Sequence, residues 1–477
     1  MTPLLTLVTL SLYLVLLFVV ARFSGRGSDN AHFFTGGRNQ SWWVVALAMV
    51  GAPMTGITFI SVPGMVGSSG FSYLQMVLGF IVGSVIIAYW LIPLYYRYNV
   101  TSLYEYLDNR FGVSSHTMGA WLFLLSKVTG ASLRAFVVCV VIQQLLCTAF
   151  GIPFWATALL FVALAWLYTY RGGVGAVVWT DALKTLCMVL CVALCAVFLL
   201  RELDLSLVGA TLQAVEEGFT KTLYFDNIDS PLHFVKMFLA GLFMIVAMTG
   251  LDQDMMQRAL SSPSQRSAQR NMVVASLLQT VVIAMLLGLG ALLHLYLAKT
   301  NSAVANSDEI FAFVSTREGM PAIISILLVL GVVSASFSAT GGAMTSLTTS
   351  FAVDILRNKS ISTTTRKWIH AGVAVALLSL VLAFEQWSTE SSIELFYRLA
   401  SYTYGPLLGM FAFGLLSRRG VRERLVPLVV ILAPILSLML DCNSQEWFGG
   451  YRFGFEILLV NAALTAVGLL IISRKAQ

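Results

Sequence analysis

The stretch Gly51-Ala52-Pro53-Met54-Thr55-Gly56 lies in the middle of a long apolar segment, and its last three residues recur as Met248-Thr249-Gly250 in a second apolar segment. Pro53 removes a backbone donor and clashes with the preceding turn, while the glycines ease departure from the helix. The sequence therefore predicts two helices that break near their middles. Backbone groups freed in this way can bind ions or polar solutes within a membrane. Ordinary kinks, filled by packing residues and water, are the alternative interpretation.

The composition is typical of a protein dissolved in a lipid bilayer. The chain has 477 residues, of which 58% are hydrophobic and 11% charged, and its mean hydropathy is +0.83. Apolar runs of roughly 17 to 25 residues, long enough to cross the hydrocarbon layer, predict about 13 transmembrane helices. These runs centre near positions 12, 54, 84, 131, 161, 188, 244, 283, 335, 375, 404, 432 and 463. We therefore predict an all-α membrane protein.

The basic residues predict an orientation. If thirteen spans alternate, nineteen of the 29 basic residues, Arg258 among them, lie on the same side as the C-terminus. Lysine and arginine accumulate in cytoplasmic loops, so the C-terminus is predicted to be cytoplasmic and the N-terminus outside. The first apolar run has no basic start and no cleavage site, which indicates a retained span. The expected location is a bacterial-type inner membrane or a plasma membrane.

The chain is predicted to form one transmembrane domain that contains an internal repeat. Residues 1–40 hold the first span and an inner loop, residues 41–200 and 231–417 hold five spans each, and residues 418–477 hold two more. Because five is odd, the second set of five spans has the opposite orientation to the first. Such an inverted repeat places the binding site near the middle of the bilayer, where the first helix of each half breaks.

Five short motifs follow one another along the chain. They are Phe33-Phe34-Thr35-Gly36-Gly37-Arg38, Ser61-Val62-Pro63-Gly64 at the end of a run from Thr58, Trp179-Thr180-Asp181, Asp252-Gln253-Asp254 continuing to Gln257-Arg258, and Gly405-Pro406-Leu407-Leu408-Gly409. Together they resemble the sodium:solute symporter family over nearly the whole chain. The resemblance implies a leucine-transporter-like fold with a 5+5 inverted-repeat core, and alternating access driven by sodium.

The resemblance also implies where sodium binds. The carbonyl oxygens of Gly51, Met54 and Ala335 and the hydroxyl of Ser338 occupy the matching positions. A second hydroxyl of the family's site is missing, because its position is Ala339 in this chain. The loss matters because a hard cation prefers about five or six oxygen ligands.

Asp181 and Lys184 are predicted to take part in coupling. Some relatives use an aspartate at the position of Asp181 to bind a second sodium, but the partner positions Gly341 and Gly342 offer no side chain, so a second sodium is not expected. Lys184 lies one turn from Asp181 on the helix that passes the first site. Three roles stay open for it: a plain ion pair, a substitute for the cation that makes transport sodium-independent, or a proton-coupling group.

Polar residues inside the spans mark the expected solute site. Thr55, Thr58, Asp252 and Gln253 flank the two breaks, and Arg134 lies on a helix that lines the central cavity in this fold. Arg134 is near the position at which sialic-acid-transporting relatives place an arginine that binds a carboxylate, and a guanidinium suits that task. Pairing of Arg134 with Asp252 or with a helix carbonyl is the alternative.

Three residues are predicted to gate the cavity, namely Phe59, Asp254 and Tyr402. Asp254 stands where sugar-transporting relatives have an inner-gate aromatic residue, and Asp252 stands where they have an asparagine. These differences argue against a glucose-type pocket.

The sequence therefore predicts a secondary active transporter that imports a small polar organic solute, with carboxylates among the candidates, by sodium symport. Sodium-independent or proton-coupled transport and, in another class, a membrane ligand sensor are the alternatives. No enzyme is expected, because paired carboxylates, metal-spaced histidines and nucleophile motifs are missing from the sequence. The expected partners are the solute, sodium and the lipid bilayer. No other metal or cofactor, no nucleic acid and no obligatory protein partner are predicted.

Overall fold

The computed structural model describes residues 3–24, 41–98, 102–304, 306–317, 320–358, 361–387 and 392–474. A few side chains within these ranges, that of Ser338 among them, lie outside the described set. The motif at 33–38 also lies outside the described residues. Nearly all of the described chain is helical, because a helix satisfies its own backbone polar groups in hydrocarbon.

The first half of the chain contains one leading helix and the spans of the first predicted repeat. A π-helical turn, Ile87–Leu91, joins two helical pieces into one span, and a 3₁₀ turn, Cys147–Phe150, follows another span. The helices are α1 (Pro3–Ser24), α2 (Trp42–Gly51), α3 (Gly56–Gly64), α4 (Val66–Ser69), α5 (Tyr73–Ile86), α6 (Ile92–Tyr98), α7 (Glu105–Phe111), α8 (Val113–Leu145) and α9 (Phe154–Leu203).

The second half contains the second predicted repeat and the final spans. Two π-helical turns, Val246–Gly250 and Phe351–Ile355, and two 3₁₀ turns, Ser307–Glu309 and Glu423–Leu425, interrupt it. The helices are α10 (Leu207–Glu216), α11 (Phe234–Ile245), α12 (Gln253–Leu260), α13 (Gln265–Lys299), α14 (Ile310–Thr316), α15 (Ala322–Ser350), α16 (Thr363–Trp387), α17 (Ser392–Leu416), α18 (Val426–Cys442), α19 (Ser444–Trp447) and α20 (Ile457–Ile471). Strands β1 (Gly420–Val421) and β2 (Ser473–Arg474) pair antiparallel.

Both predicted breaks are present. Helices α2 and α3 form one span that bends by 56° between Gly51 and Gly56. The span that begins with α11 bends by 69° before α12. This second break lies slightly later than predicted, because Met248–Gly250 belongs to a π-helical turn and the chain leaves the helix at Leu251 and Asp252. Asp252 begins α12 as its N-cap, a position that aspartate favours.

The helices coincide with the predicted spans, with one difference. Within the described ranges, up to ten segments are long and apolar enough to cross a membrane, and Phe154–Leu167 and Ile457–Ile471 are shorter apolar helices. The spans predicted near positions 161 and 188 are joined in the continuous helix α9 of 50 residues. At 1.5 Å per residue this helix is about 75 Å long, more than one crossing needs. The number thirteen therefore stays a prediction.

The two halves of the chain pack closely together. Helix α5 lies along α11, and α9 lies along α15. A Cβ on Gly79 or on Gly241 would overlap with backbone atoms across the α5–α11 crossing, so glycine is needed there. Small residues at crossings are typical of membrane bundles, in which van der Waals contact drives helix association. Helix α12 contacts α2, so the two breaks lie near each other in the interior.

Candidate functional site

At the first break, several main-chain oxygens have no hydrogen-bond donor among the described residues. No described residue donates a hydrogen bond to the carbonyl oxygens of residues 51–54. The freed N–H of Gly56 donates to Ser336 Oγ on α15 at 2.9 Å. Unsatisfied backbone groups in hydrocarbon cost several kcal/mol each, unless a partner coordinates them. A group of main-chain oxygens with no protein donor fits a cation such as sodium.

The second break is satisfied by the protein itself. The hydroxyl of Tyr95 donates to the carbonyl oxygen of Gly250 at 2.8 Å, and that of Tyr104 donates to the carbonyl oxygen of Leu251 at 3.3 Å. Asp252 Oδ1 accepts a hydrogen bond from the backbone of Met255 at 3.1 Å. The two breaks therefore differ chemically, and only the first exposes several oxygens to an external partner among the described residues.

Gly51 and Met54, two of the four residues predicted to hold sodium, lie at the first break, and the other two lie on α15. Gly51 and Met54 are buried in the break. Ala335 is buried on α15, next to the Ser336 whose hydroxyl bonds α3. Ser338 lies on the same helix, but its side chain lies outside the described residues. The helix after the break, α3, therefore contacts α15. The sodium site itself stays a prediction.

Helix α15 offers few additional oxygens beyond Ser338. Ala339 is buried and has no hydroxyl, and Thr340 donates its hydroxyl to the carbonyl oxygen of Ser336 in its own helix at 2.9 Å. Gly342 lies against Arg258, so that a Cβ at this position would collide with the guanidinium. An arginine side chain therefore fills the space next to Gly342.

A chain of buried ion pairs begins at the two predicted coupling residues. Lys184 Nζ lies 3.3 Å from Asp181 Oδ1, and Arg258 Nε donates to Asp181 Oδ2 at 2.9 Å. Arg258 also pairs with Asp254, whose Oδ2 lies 2.8 Å from Lys127 Nζ. Cations and carboxylates alternate, so Asp181 and Asp254 each lie between two cations. This ion-pair chain connects helix α9 to helices α12 and α8.

The ion-pair chain ends in the wall of a pocket at the second break, the central pocket. Lys127 Nζ lies 3.1 Å from both carboxylate oxygens of Asp252, and Tyr404 donates its hydroxyl to Asp252 Oδ2 at 2.5 Å. Every charged residue of the ion-pair chain is at most 6% exposed. Removing one partner of a buried pair typically costs about 3–5 kcal/mol, because the other charge stays buried without compensation. The chain therefore holds the helices around the second break in one arrangement.

Among the described charged residues of this region, Arg134 stays unpaired. Its side chain is 8% exposed, and its guanidinium carbon lies 4.6 Å from the ring centroid of Phe396. No described residue forms a hydrogen bond or an ion pair with it, so the alternative pairing with Asp252 or a helix carbonyl is not found within the described ranges. The central pocket next to it is lined by Pro53, Lys127, Arg134, Thr249, Asp252, Gln279, Phe396, Tyr397 and Tyr404, among others.

Three residues predicted to bind solute do not line this pocket. Thr55 is 2% exposed and precedes α3, and Thr58 lies half-buried on α3, a helix that packs against α15. Gln253 turns away as well, because its Oε1 accepts a hydrogen bond from the backbone of Leu103 at 3.0 Å. Of the predicted solute residues, the structure brings only Arg134 and Asp252 into the pocket wall.

The predicted gate residues also lie outside the wall of the central pocket. Phe59 stacks on Phe311 with ring centroids 5.7 Å apart, and Tyr402 donates to Asp441 Oδ2 on α18 at 2.5 Å. Asp254 belongs to the ion-pair chain. These residues hold helices together in this arrangement of the molecule.

A tyrosine pair separates the central pocket from a second cavity. The hydroxyls of Tyr73 on α5 and Tyr397 on α17 are 2.6 Å apart. Tyr397 lines the central pocket, and both tyrosines line the second cavity, which has a volume of about 570 Å³. The cavity also contains Glu394 and Arg398. The pair is therefore the described contact best placed to close the pocket on this side.

Sequence reasoning missed the role of one important charge, that of Arg258. It counted Arg258 among the loop residues that set the orientation, whereas the side chain is 1% exposed. Its spacing of four residues from Asp254 was a usable signal, because such residues are neighbours on a helix. The sequence does identify Lys127 as a charge inside a span, on the same face of α8 as Arg134 seven residues later, but it does not identify the ion-pair partners of Lys127. The ion-pair partners that Arg258 and Lys127 have on other helices leave no local pattern in the sequence.

Comparison with known proteins identifies the family and agrees with the fold. The model of the sodium:solute symporter family matches residues 33–422. The sodium/sialic acid symporter SiaT of Proteus mirabilis is 22% identical, over 94% of this chain and 92% of the relative. The mouse sodium-coupled monocarboxylate transporter 1 is 24% identical, over 90% of this chain and 69% of the relative.

Solved structures show the same fold. A Na⁺-coupled sialic acid symporter in a substrate-bound outward-open state matches with a TM-score of 0.82 and 18% identity, over 98% of this chain and 99% of that one. The nucleobase-cation symporter Mhp1 in a closed conformation matches with a TM-score of 0.64 and 15% identity, over 94% of this chain and 95% of that one. The predicted leucine-transporter-like fold is confirmed. Because the family model matches most of the sequence, the chain belongs to the sodium:solute symporter family.

Proposed function

We propose that this sodium-coupled membrane transporter imports a small organic carboxylate, which Arg134 binds in the central pocket, together with one sodium ion at the first break. The observation that carries the proposal is a guanidinium at 8% exposure with no hydrogen bond or ion pair to any described residue. A buried arginine is costly unless an anion compensates it. Its planar fork matches a carboxylate with two parallel hydrogen bonds.

The local charge balance supports an anionic solute. The ion-pair chain contains three cations, Lys184, Arg258 and Lys127, and three carboxylates, Asp181, Asp254 and Asp252. The ion-pair chain is therefore neutral as a whole, and Arg134 adds one positive charge to the pocket region. A monoanion neutralises this charge. Relatives named for sialic acid and for monocarboxylates both carry solutes with a carboxylate, in agreement with this assignment.

Sodium is the coupling ion of the family, and we assign it to the main-chain oxygens at the first break. Gly51, Met54 and Ala335 would supply carbonyl oxygens, and Ser338 a hydroxyl. The support is the set of carbonyls at 51–54 that have no described donor. An ion at this place contacts both the first broken span and α15, so it favours the arrangement in which the two are close. Each inward sodium supplies about 2.3 kcal/mol per 100 mV of membrane potential, besides its concentration gradient.

Alternating access follows from the proposed repeats. Residues 41–200 and 231–417 would rock about the pocket between the two breaks, with the N-terminus outside and the C-terminus cytoplasmic. Opening on the side of the second cavity requires separation of Tyr73 and Tyr397, whose hydroxyls are 2.6 Å apart. In this scheme solute enters through that cavity and reaches Arg134 when the tyrosine pair parts.

The experiment is a solute screen with the purified protein in proteoliposomes that have an inward sodium gradient. Small carboxylates are compared with their own amides and methyl esters, which keep the shape but remove the negative charge. We expect uptake of carboxylates and at least about tenfold weaker uptake of the neutral analogues, because charged hydrogen bonds contribute about 1.5–3 kcal/mol. Equal uptake of the acids and the neutral analogues contradicts the assignment.

A further inference from the structure

Lys184 is a fully buried cation with few bonds of its own. Its side chain is 0% exposed, and its ammonium lies 3.3 Å from Asp181 Oδ1. No described residue completes a well-aligned hydrogen bond with the ammonium, which has three protons to donate. Arg258, by contrast, pairs with Asp181 and with Asp254 at once. Of the two cations next to Asp181, Lys184 is therefore the less anchored.

The Lys184 side chain lies against the first break. A Cβ placed on Gly51 would be 3.1 Å from Lys184 Cε, and 2.9 Å from the carbonyl oxygen of Asp181. The carbonyl oxygens of residues 51–54, which have no described donor, therefore begin directly beside the end of the lysine stem. A lysine has four rotatable methylene groups, so rotation about its stem moves the ammonium without moving the helix.

Asp181 does not depend on Lys184 for charge compensation. Arg258 Nε donates to its Oδ2 at 2.9 Å and both groups are buried. When the Lys184 ammonium leaves Asp181, the Asp181 carboxylate keeps Arg258 as a charged partner. The carbonyl oxygens of residues 51–54 then gain the cation that they otherwise lack. An ammonium and a sodium ion carry the same charge, so repulsion prevents both from occupying those oxygens together.

We propose that the Lys184 ammonium is a tethered cation that occupies the carbonyl oxygens of the first break after sodium has left, and returns to Asp181 when sodium binds. This inference rests on the proposed sodium position. The lysine stays protonated throughout, and no bond is made or broken. Its function is to compensate the break during the return of the empty transporter, which otherwise exposes uncompensated oxygens inside the membrane.

Net uptake and exchange differ in whether the empty transporter must return across the membrane. Net uptake requires the empty transporter to return, whereas exchange of labelled for unlabelled solute at saturating sodium does not. Lys184→Met keeps the length of the side chain and removes its charge. We expect net uptake to fall at least about tenfold with exchange largely retained, because only the empty transporter uses the ammonium to compensate the first break.

The same variant is expected to bind sodium more tightly, since the competing ammonium has gone. Sodium-dependent thermal shifts of the purified protein, without solute and with potassium at equal ionic strength as reference, give the half-saturating concentration. We expect it to fall by about three- to tenfold in Lys184→Met. This readout involves no carboxylate, so an incorrect solute assignment does not affect it.

A double variant, Asp181→Asn with Lys184→Met, tests the simpler role of a counterion. If Lys184 only neutralises Asp181, the double variant regains net uptake; if it is a tethered cation, net uptake stays low and exchange persists. Recovery of net uptake in the double variant overturns the proposal. An equal loss of uptake and exchange in Lys184→Met, with unchanged sodium affinity, also overturns it.

Discussion

At the scale of single residues, Arg134 is expected to determine solute affinity. Arg134→Gln removes the charge and the bidentate geometry, and a charged hydrogen bond contributes about 1.5–3 kcal/mol, so the KM for a carboxylate is expected to rise by about 10- to 100-fold. Arg134→Lys keeps the charge but not the planar fork and is expected to be intermediate. Initial uptake rates over a range of solute concentrations measure the effect. An unchanged KM in Arg134→Gln places the solute elsewhere.

Ala339 offers a gain of function at the proposed sodium site. The position is buried on α15, where a serine adds one more oxygen to a site with fewer ligands than a hard cation prefers. We expect Ala339→Ser to lower the half-saturating sodium concentration by about tenfold, equivalent to roughly 1.4 kcal/mol. Ala339→Cys is the matched control, because its soft sulfur is of similar size but a poor ligand for sodium. An equal effect of both substitutions indicates packing and not coordination.

At the scale of elements, the ion-pair chain is expected to hold α8, α9 and α12 together. Asp254→Asn removes a carboxylate that pairs with Lys127 and Arg258, and it leaves two buried cations with fewer partners. We expect the free energy of unfolding to fall by about 3–5 kcal/mol. Thermal unfolding in detergent measures the change. Glu394→Gln, whose ion pair with Arg398 is exposed, is the control and is expected to change little.

The contact between α5 and α17 is expected to control access to the pocket. Tyr73→Phe removes the hydrogen bond to Tyr397, which contributes about 0.5–1.5 kcal/mol, so the open population is expected to rise by about two- to tenfold. The rate at which a charged thiol reagent modifies Thr129→Cys in the pocket wall, in a Cys442→Ala background that removes the exposed native thiol, reports the opening. Tyr402→Phe, whose hydroxyl bonds Asp441, is the control. Equal modification rates in the two backgrounds contradict the assigned gate.

At the scale of the whole molecule, the sequence predicted what depends on local pattern and period. The apolar composition predicted the spans, and the repeated Met-Thr-Gly predicted two broken helices, both of which are present. The second break lies later than predicted because Asp252 caps the following helix. The sequence also singled out Arg134, as a charge inside an apolar span, and Asp252, as a polar residue beside the second break, and both line the central pocket.

The remaining features could not be predicted because they depend on contacts between distant segments. Tyr95 and Tyr104 satisfy the second break from 155 and 147 residues away, so no local pattern distinguishes it from the first break. Gln253 and Thr58 are polar residues beside a break, but helix packing turns them away from the pocket. The direction in which a side chain points near a helix break depends on the tertiary structure, so the local sequence does not predict it.

The family is sodium-coupled, and we propose that the ion binds at the first break while the solute binds in the pocket at the second break. The measurement that tests this account most directly is the affinity of the best carboxylate, by calorimetry on the purified protein, as a function of sodium concentration at constant ionic strength. The account predicts that affinity rises with sodium, with a slope of about one in a double-logarithmic plot, because one ion binds together with the solute. Affinity that is independent of sodium, or a slope of about two, contradicts it.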